Sequence, residues 1–297
     1  NNVRKLVSEI ASKFYKQIPN NLIAITGTNG KSSIASFYFQ ILKNKKSNVA
    51  TIGTLGIKTN NSNKLTDNTT LDPITIHKTL SLIKMKKIKN TILEASSHGL
   101  KQHRLDGLRF DTSIFTNLSR DHLDYHKTYK DYFDSKLILF NKLTKKRGTI
   151  IYDNDISHAK TIKKICTNKR LKSLTIGKKN SNLIIKKHEY VGNLQIVEIE
   201  FNNKKYSFST SLIGKLQVKN LLFAILAASK SKINFNKIVG SISSIKPVEG
   251  RLESVGNIKN NSKVILDYAH TPDALKHTLK SIKEQFSQSS ISIVFGC

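Results

Sequence analysis

The sequence predicts an α/β fold: a central, mostly parallel sheet flanked by helices, with the start of a second, smaller α/β unit behind it. Three observations lead there. Short apolar runs at 22–25, 91–94, 113–116 and 264–267 read as buried strands and run directly into polar residues. Segments with apolar residues at helical spacing lie between them. Proline and glycine among charged residues at 247–253 mark a hinge, which divides the 297-residue chain into 1–246 and 247–297.

Taken in order, Val3, Leu6, Val7, Ile10 and Phe14 form a one-sided helical stripe that Pro19 ends. Leu22-Ile23-Ala24-Ile25 then reads as a strand, and Ile34, Phe37, Tyr38 and Ile41 as a helix. Between them stands Thr26-Gly27-Thr28-Asn29-Gly30-Lys31-Ser32-Ser33. Glycines let successive N–H groups turn toward an anion, the helix start and Lys31 add positive charge, and Ser32 can ligate Mg²⁺. The strict P-loop pattern fails, because its first glycine would fall on Ile25. An ordinary turn nevertheless explains only the glycines and not the Lys-Ser pair behind them. The expectation is a P-loop-like ATPase topology.

Residues 49–57 read as a second strand carrying Gly53 and Gly56, and 58–67 as a polar loop. Asn68-Thr69-Thr70-Leu71-Asp72-Pro73 precedes a helix with Ile76, Leu80 and Ile83 on one face, and by itself is a capping turn. The strand at 91–95 finishes on Glu94 and meets Ser96-Ser97-His98-Gly99-Leu100-Lys101-Gln102-His103-Arg104. A carboxylate there suits a metal or phosphate site at the sheet's carboxyl edge, or equally a glutamate facing water. After the strand at 113–116, Asn117 to His126 crowd His and Asp residues that can ligate Mg²⁺ or orient its waters. The helix at 129–143 carries Lys136 among Phe133, Leu137 and Phe140, the usual setting of a snorkelling side chain. Strands at 149–152 and 174–176 flank a helix at 156–165, and 183–210 alternates like an antiparallel ribbon turning at Gly192-Asn193 and Asn202-Asn203. Gly214 to Asn220 opens an apolar helix reaching Ala228, and a last strand is expected at 291–295.

Composition narrows the class. No run of 18 apolar residues exists and the first residues are polar and charged, so neither a membrane span nor a secretory signal is supported. Cys166 and Cys297 have the spacing of neither a disulfide framework nor a metal site, so a reducing cytoplasm is the expected setting. The net charge of +30 invites a nucleic-acid reading, but only seven of the 50 basic residues are arginine and the lysines are scattered. A solvated Lys/Asn-rich surface explains this better, and it would still steer anionic small substrates.

Six segments in order, TGTNGKS, NTT-D-P, EASSHGL-QHR, FTNLSRDHLDYH, GRLE and DYAHTPDAL, resemble the Mur ligase family, in particular its tripeptide-synthetase (MurE) type. The resemblance implies a monomeric ATP-dependent amide ligase. It would add lysine or meso-diaminopimelate to UDP-N-acetylmuramoyl-L-alanyl-D-glutamate through an acyl phosphate. Gly27, Thr28, Asn29, Gly30, Lys31, Ser32 and Ser33 would bind ATP with Asn220, Arg251 and Asp267. Ser32, Glu94 and His122 match magnesium positions, and Lys136 matches a lysine that carries CO₂ as a carbamate near the metal. Lys31, Lys136 and His122 are thereby the expected catalytic residues. Asn68, Thr69, Thr70, Ser96, Gln102 and Arg104 match contacts to the UDP-muramoyl dipeptide. Leu71 stands where the family has proline, and Gln217 where it has asparagine. The second unit would be the start of a Rossmann-like C-terminal domain, and the chain a fragment without the N-terminal domain and most of the C-terminal one. The competing readings are a sister ligase such as folylpolyglutamate synthetase, or a basic nucleic-acid-binding ATPase.

Overall fold

The computed structural model describes residues 2–258 and 262–296, which leaves Cys297 outside the described residues. Helix α1 (Val3–Phe14) leads to β1 (Asn21–Thr26), α2 (Lys31–Asn44), β2 (Val49–Gly53), β3 (Gly56–Thr59) and β4 (Asn63–Lys64). There follow α3 (Pro73–Met85), β5 (Asn90–Glu94), α4 (Ser97–Lys101), β6 (Phe110–Phe115) and α5 (Tyr129–Ile138). A π-helical turn (Leu139–Leu143) joins α5 to β7 (Thr144–Asp153), followed by α6 (Ala159–Lys169) and β8 (Lys172–Gly177). The ribbon β9 (Leu183–Val191), β10 (Leu194–Phe201) and β11 (Lys204–Thr210) precedes α7 (Gly214–Ser229) and α8 (Phe235–Val239). Beyond residue 246, β12 (Glu253–Ile258) and β13 (Ser262–Leu266) pair in a separate two-stranded sheet and α9 (Pro272–Gln285) follows.

One sheet runs β11-β10-β9-β8-β7-β6-β1-β5-β2-β3-β4. Its middle pairings, from β2–β5 across to β8–β9, are parallel, and both ends are antiparallel. Strand β1 lies between β5 and β6, which makes this edge the point where the chain's winding reverses and the place where open α/β sheets bind ligands. A strand buried on both faces must be apolar throughout, and Leu22 to Ile25 are all fully buried. On one face Ile34, Phe37, Tyr38 and Ile41 of α2 pack with Leu221, Leu222 and Ile225 of α7. On the other, Ile76, Leu80 and Ile83 of α3 join Leu137, Phe140 and Ile162.

The structure departs from the sequence reading at several elements. Residues 49–57 are two antiparallel strands, because Thr54-Leu55 turn the chain and Gly56 takes φ +88°. The polar loop contains the short strand β4, paired with β3. The helix expected over 129–143 changes to π pitch after Ile138. The stripe on α1 does not form a core: Ser8 and Ala11 are the buried residues, while Val3, Leu6, Ile10 and Phe14 are exposed. Ser8 donates to the Asp106 carbonyl, so a polar anchor fixes that helix. Residues 291–295 form no strand, and Ile293, Val294 and Phe295 are exposed.

Candidate active site

The carboxyl ends of β1, β5 and β6 bring the segments singled out in the sequence to one place. The loop after β1 is held in shape from β6: Thr28 N–H donates to the Asn117 carbonyl (3.0 Å) and Asn29 N–H to Asn117 Oδ1 (2.9 Å). Thr116 Oγ1 and Asn117 Nδ2 donate to the Asn29 carbonyl at 2.7 and 3.2 Å. Thr116 and Asn117 are not among the expected site residues, although both lie inside the FTNLSRDHLDYH segment. The loop's two glycines are required by close approach. A Cβ on Gly27 (φ +147°) would lie 1.9 Å from Thr116 Oγ1, and one on Gly30 (φ +91°) 2.4 Å from Asn220 Oδ1. Gly30 caps α2 with no side-chain hydrogen bond, so the helix start is open to an anion.

Lys31 folds back over this loop, and its Nζ donates to the Gly27 and Thr28 carbonyls at 3.0 and 2.9 Å. Burial lowers its pKa, and the nearby Glu94 carboxylate opposes that effect. Glu94 is 2% exposed at the end of β5 and accepts Ser32 Oγ–H at 3.1 Å. The choice left open for Glu94 is thus decided: it faces the loop, not water. The buried carboxylate and hydroxyl form an oxygen-donor pair that fits a hard cation such as Mg²⁺.

Lys136 departs most from its reading by residue type. It does not snorkel: it is 1% exposed, because the π turn and α5 carry it beneath the loop. Its Nζ donates to the Gly27 carbonyl (3.0 Å) and lies 4.1 Å from the centroid of the Tyr132 ring. Burial first, and the Lys31 charge second, hold its pKa well below the ordinary lysine range. Tyr132 in turn hydrogen-bonds Thr28 Oγ1 at 3.1 Å.

His122 stands at φ +52°, an uncommon backbone state for a non-glycine residue and one that marks functional sites. Its ring meets His98 edge-on at 4.9 Å and lies 6.1 Å from Tyr132. His98 also packs on Tyr125 at 4.1 Å, and burial lowers its pKa with His122 adding to the effect. Neither His98 nor Tyr125 was named as a site residue, although both lie inside quoted motifs.

The expected substrate residues gather beside Glu94. Thr70 Oγ1 donates to the Glu94 carbonyl (2.9 Å) and accepts Ser96 N–H (2.9 Å). Arg104 donates to the Thr70 carbonyl (2.7 Å) and grips Gln102 Oε1 through two nitrogens, while Gln102 Nε2 reaches Tyr125 OH (3.2 Å). Thr69 bonds Thr54 (3.0 Å), and Asn68 is exposed at the rim. Ser33 is buried in the first turn of α2. Asn220 donates to Gln217, which donates to the Arg251 carbonyl, so Gln217 ties α7 to the second unit. Arg251 stacks on Tyr268 at 4.3 Å. Asp267 accepts from Leu252 N–H and Thr278 Oγ1, both at 2.9 Å, which leaves one acceptor site on each oxygen.

The Mur ligase middle domain matches residues 25–228, and the Mur ligase glutamate ligase domain matches 250–297. A UDP-N-acetylmuramoyl-L-alanyl-D-glutamate--2,6-diaminopimelate ligase of Rickettsia montanensis is 37% identical over 99% of this chain and 62% of that protein. One of the same name from Rhizobium meliloti is 35% identical over 99% and 60%. The chain thus spans about three-fifths of the length of these curated relatives. A solved structure of a ligase of that name superposes with a TM-score of 0.81 at 29% identity, over 95% of this chain and 58% of that one. An FPGS-AMPPCP complex shares the fold, with a TM-score of 0.77 at 16% identity, over 97% and 78%. With the middle-domain match extending over more than half of its residues, this chain belongs to the Mur ligase family.

Proposed function

We propose that this chain carries the central machinery of an ATP-dependent amide ligase that joins meso-diaminopimelate to UDP-N-acetylmuramoyl-L-alanyl-D-glutamate. The observation that carries the reading is a single edge of the sheet. There the phosphate-type loop and the Thr70, Ser96, Gln102, Arg104 network meet at Glu94, whose carboxylate accepts from Ser32 and whose carbonyl accepts from Thr70. The choice of diaminopimelate over lysine follows the names of the relatives.

The open α2 start and Lys31 would take the β- and γ-phosphates, with Lys31 exchanging its two loop carbonyls for phosphate oxygens. Asn220, Arg251 and Asp267 would close on the nucleotide from the α7 side. Thr69, Thr70, Ser96, Gln102 and Arg104, with Asn68 at the rim, would orient the dipeptide carboxylate toward the γ-phosphoryl group. Ser32, Glu94, His122 and Lys136 as its carbamate would hold Mg²⁺, which supplies charge neutralisation for phosphoryl transfer. The carboxylate attacks the γ-phosphorus and ADP leaves. The incoming amine then displaces phosphate from the acyl carbon, losing a proton as the amide forms. Lys136 suits carbamylation because its depressed pKa leaves a neutral amine, which adds to CO₂ and releases one proton. The reading places the enzyme in the cytoplasm as a monomer and needs neither nucleic acid nor membrane; no described helix is long and apolar enough to cross a bilayer.

The test is a ligation assay of the full-length protein with ATP, Mg²⁺ and the UDP-muramoyl dipeptide, offering diaminopimelate and lysine separately. Product with diaminopimelate and little with lysine is expected. Preference for lysine would overturn the specificity, and ATP turnover indifferent to the dipeptide would overturn the ligase.

A further inference from the structure

We infer that Thr54, in the β2–β3 turn, is a positioning residue that couples the substrate segment to the Glu94 carboxylate; this deepens the ligase reading and rests on it. Thr54 approaches Glu94 twice. Its N–H donates to Oε1 at 3.0 Å and its Oγ1 lies 3.2 Å from Oε2, the oxygen that also accepts Ser32. The same Oγ1 lies 3.0 Å from Thr69 Oγ1. One hydroxyl therefore touches both the carboxylate beside the phosphate loop and the segment expected to hold the dipeptide.

The direction of this chain follows from its far end. An ionised carboxylate only accepts, so Thr54 spends its single proton on Glu94 and must accept from Thr69. The order is Thr69 O–H to Thr54 O–H to Glu94, and hydrogen bonds in series polarise one another. A ligand acceptor that draws away the Thr69 proton weakens the Thr54 hydroxyl as a donor, and Glu94 loses part of what holds its rotamer. A ligand donor to Thr69 strengthens the same chain. Occupancy of the substrate segment is thereby felt at the carboxylate that faces Ser32.

Two surrounding features restrict the carboxylate to this position. A Cβ on Gly53 would lie 2.2 Å from Glu94 Oε1, so the backbone before Thr54 presses directly against it. Thr70 binds the Glu94 carbonyl, which fixes the main chain and leaves the side chain to be aimed by Thr54 and Ser32. Thr54 is itself exposed in a two-residue turn, so losing its hydroxyl empties no core.

The experiment compares Thr54→Val, Thr54→Ser, Thr69→Val and the Thr54→Val/Thr69→Val pair in the full-length protein. The first readout is binding of a non-hydrolysable ATP analogue with Mg²⁺, with and without UDP-N-acetylmuramoyl-L-alanyl-D-glutamate. The second is the Mg²⁺ concentration that half-saturates turnover. In wild type the dipeptide should change analogue affinity, and Thr54→Val should abolish that linkage and raise the Mg²⁺ requirement about tenfold. That ratio corresponds to about 1.4 kcal/mol, within the range of coupling between residues of one network. Thr54→Ser should restore both, and adding Thr69→Val to Thr54→Val should not raise the Mg²⁺ requirement further. Additive effects, an intact linkage in Thr54→Val, or no linkage in wild type would each overturn the inference. Failure of wild type to bind the dipeptide at all would instead overturn the ligase reading.

Discussion

Lys136 is the candidate site residue whose sequence neighbours suggested the wrong environment. Lys136 sits among Phe133, Leu137 and Phe140, which reads as a stem on apolar surface; the fold buries the ammonium end as well. Local spacing cannot show that the Gly27 carbonyl and the Tyr132 face converge on its Nζ. Only the resemblance placed it in the site. Because the role proposed for it is anionic, Lys136→Ala should be inactive and partly rescued by short carboxylates in turnover assays, and Lys136→Glu should keep some activity. Protonation of the buried amine also links to stability. Its folded pKa lies below the ordinary 10.5, so between the two values the unfolded chain binds more protons and stability rises with pH. In CO₂-free buffer the denaturation midpoint should therefore climb toward pH 10.5 more steeply in wild type than in Lys136→Met. At Lys31 the expectation is simpler. If Lys31 carries the side-chain charge proposed for the transferring phosphate, Lys31→Ala should lower the turnover rate by about 10² or more in a folded protein.

At the scale of elements, the strand–loop–helix of β1 and α2 was legible because three signals coincide: an apolar run, glycines and a Lys-Ser pair. Two other elements misled for physical reasons. The β2–β3 hairpin hides in a continuous apolar-looking run, since its turn residues Thr54 and Leu55 carry no strong turn signal and only Gly56 takes a left-handed φ. The apolar stripe on α1 has the period of a buried face, yet Ser8 and Ala11 make the contact. The loop itself gives the sharpest prediction at this scale. Gly27→Ala adds a methyl where Thr116 Oγ1 stands 1.9 Å away and forces a disfavoured φ, a strain on the order of 1–3 kcal/mol. ATP affinity measured by calorimetry should fall by at least tenfold. Thr116→Ala should recover part of it by making room, at the loss of one bond to the Asn29 carbonyl.

Across the whole molecule, the second unit docks on α7 through polar contacts. Gln285 accepts from Gly214 N–H (2.7 Å) and Lys215 pairs with Glu284 (3.0 Å), while inside the unit Asp267 holds Leu252 to Thr278. Hydrogen bonds to a charged group are worth about 1.5–3 kcal/mol each. Asp267→Ala should thus speed amide hydrogen exchange in β12, β13 and α9 while leaving β1 and α2 protected. The charge of +30 comes from lysines scattered through the whole sequence, which is why it reads as a solvated surface and not as a local nucleic-acid stripe. Acyl-phosphate formation is the central claim, and oxygen-18 in the γ-carboxylate of the UDP-muramoyl dipeptide tests it most directly. If the carboxylate attacks ATP and the amine then displaces phosphate, the released phosphate carries one labelled oxygen per amide formed. Unlabelled phosphate accompanying tripeptide formation would contradict the account.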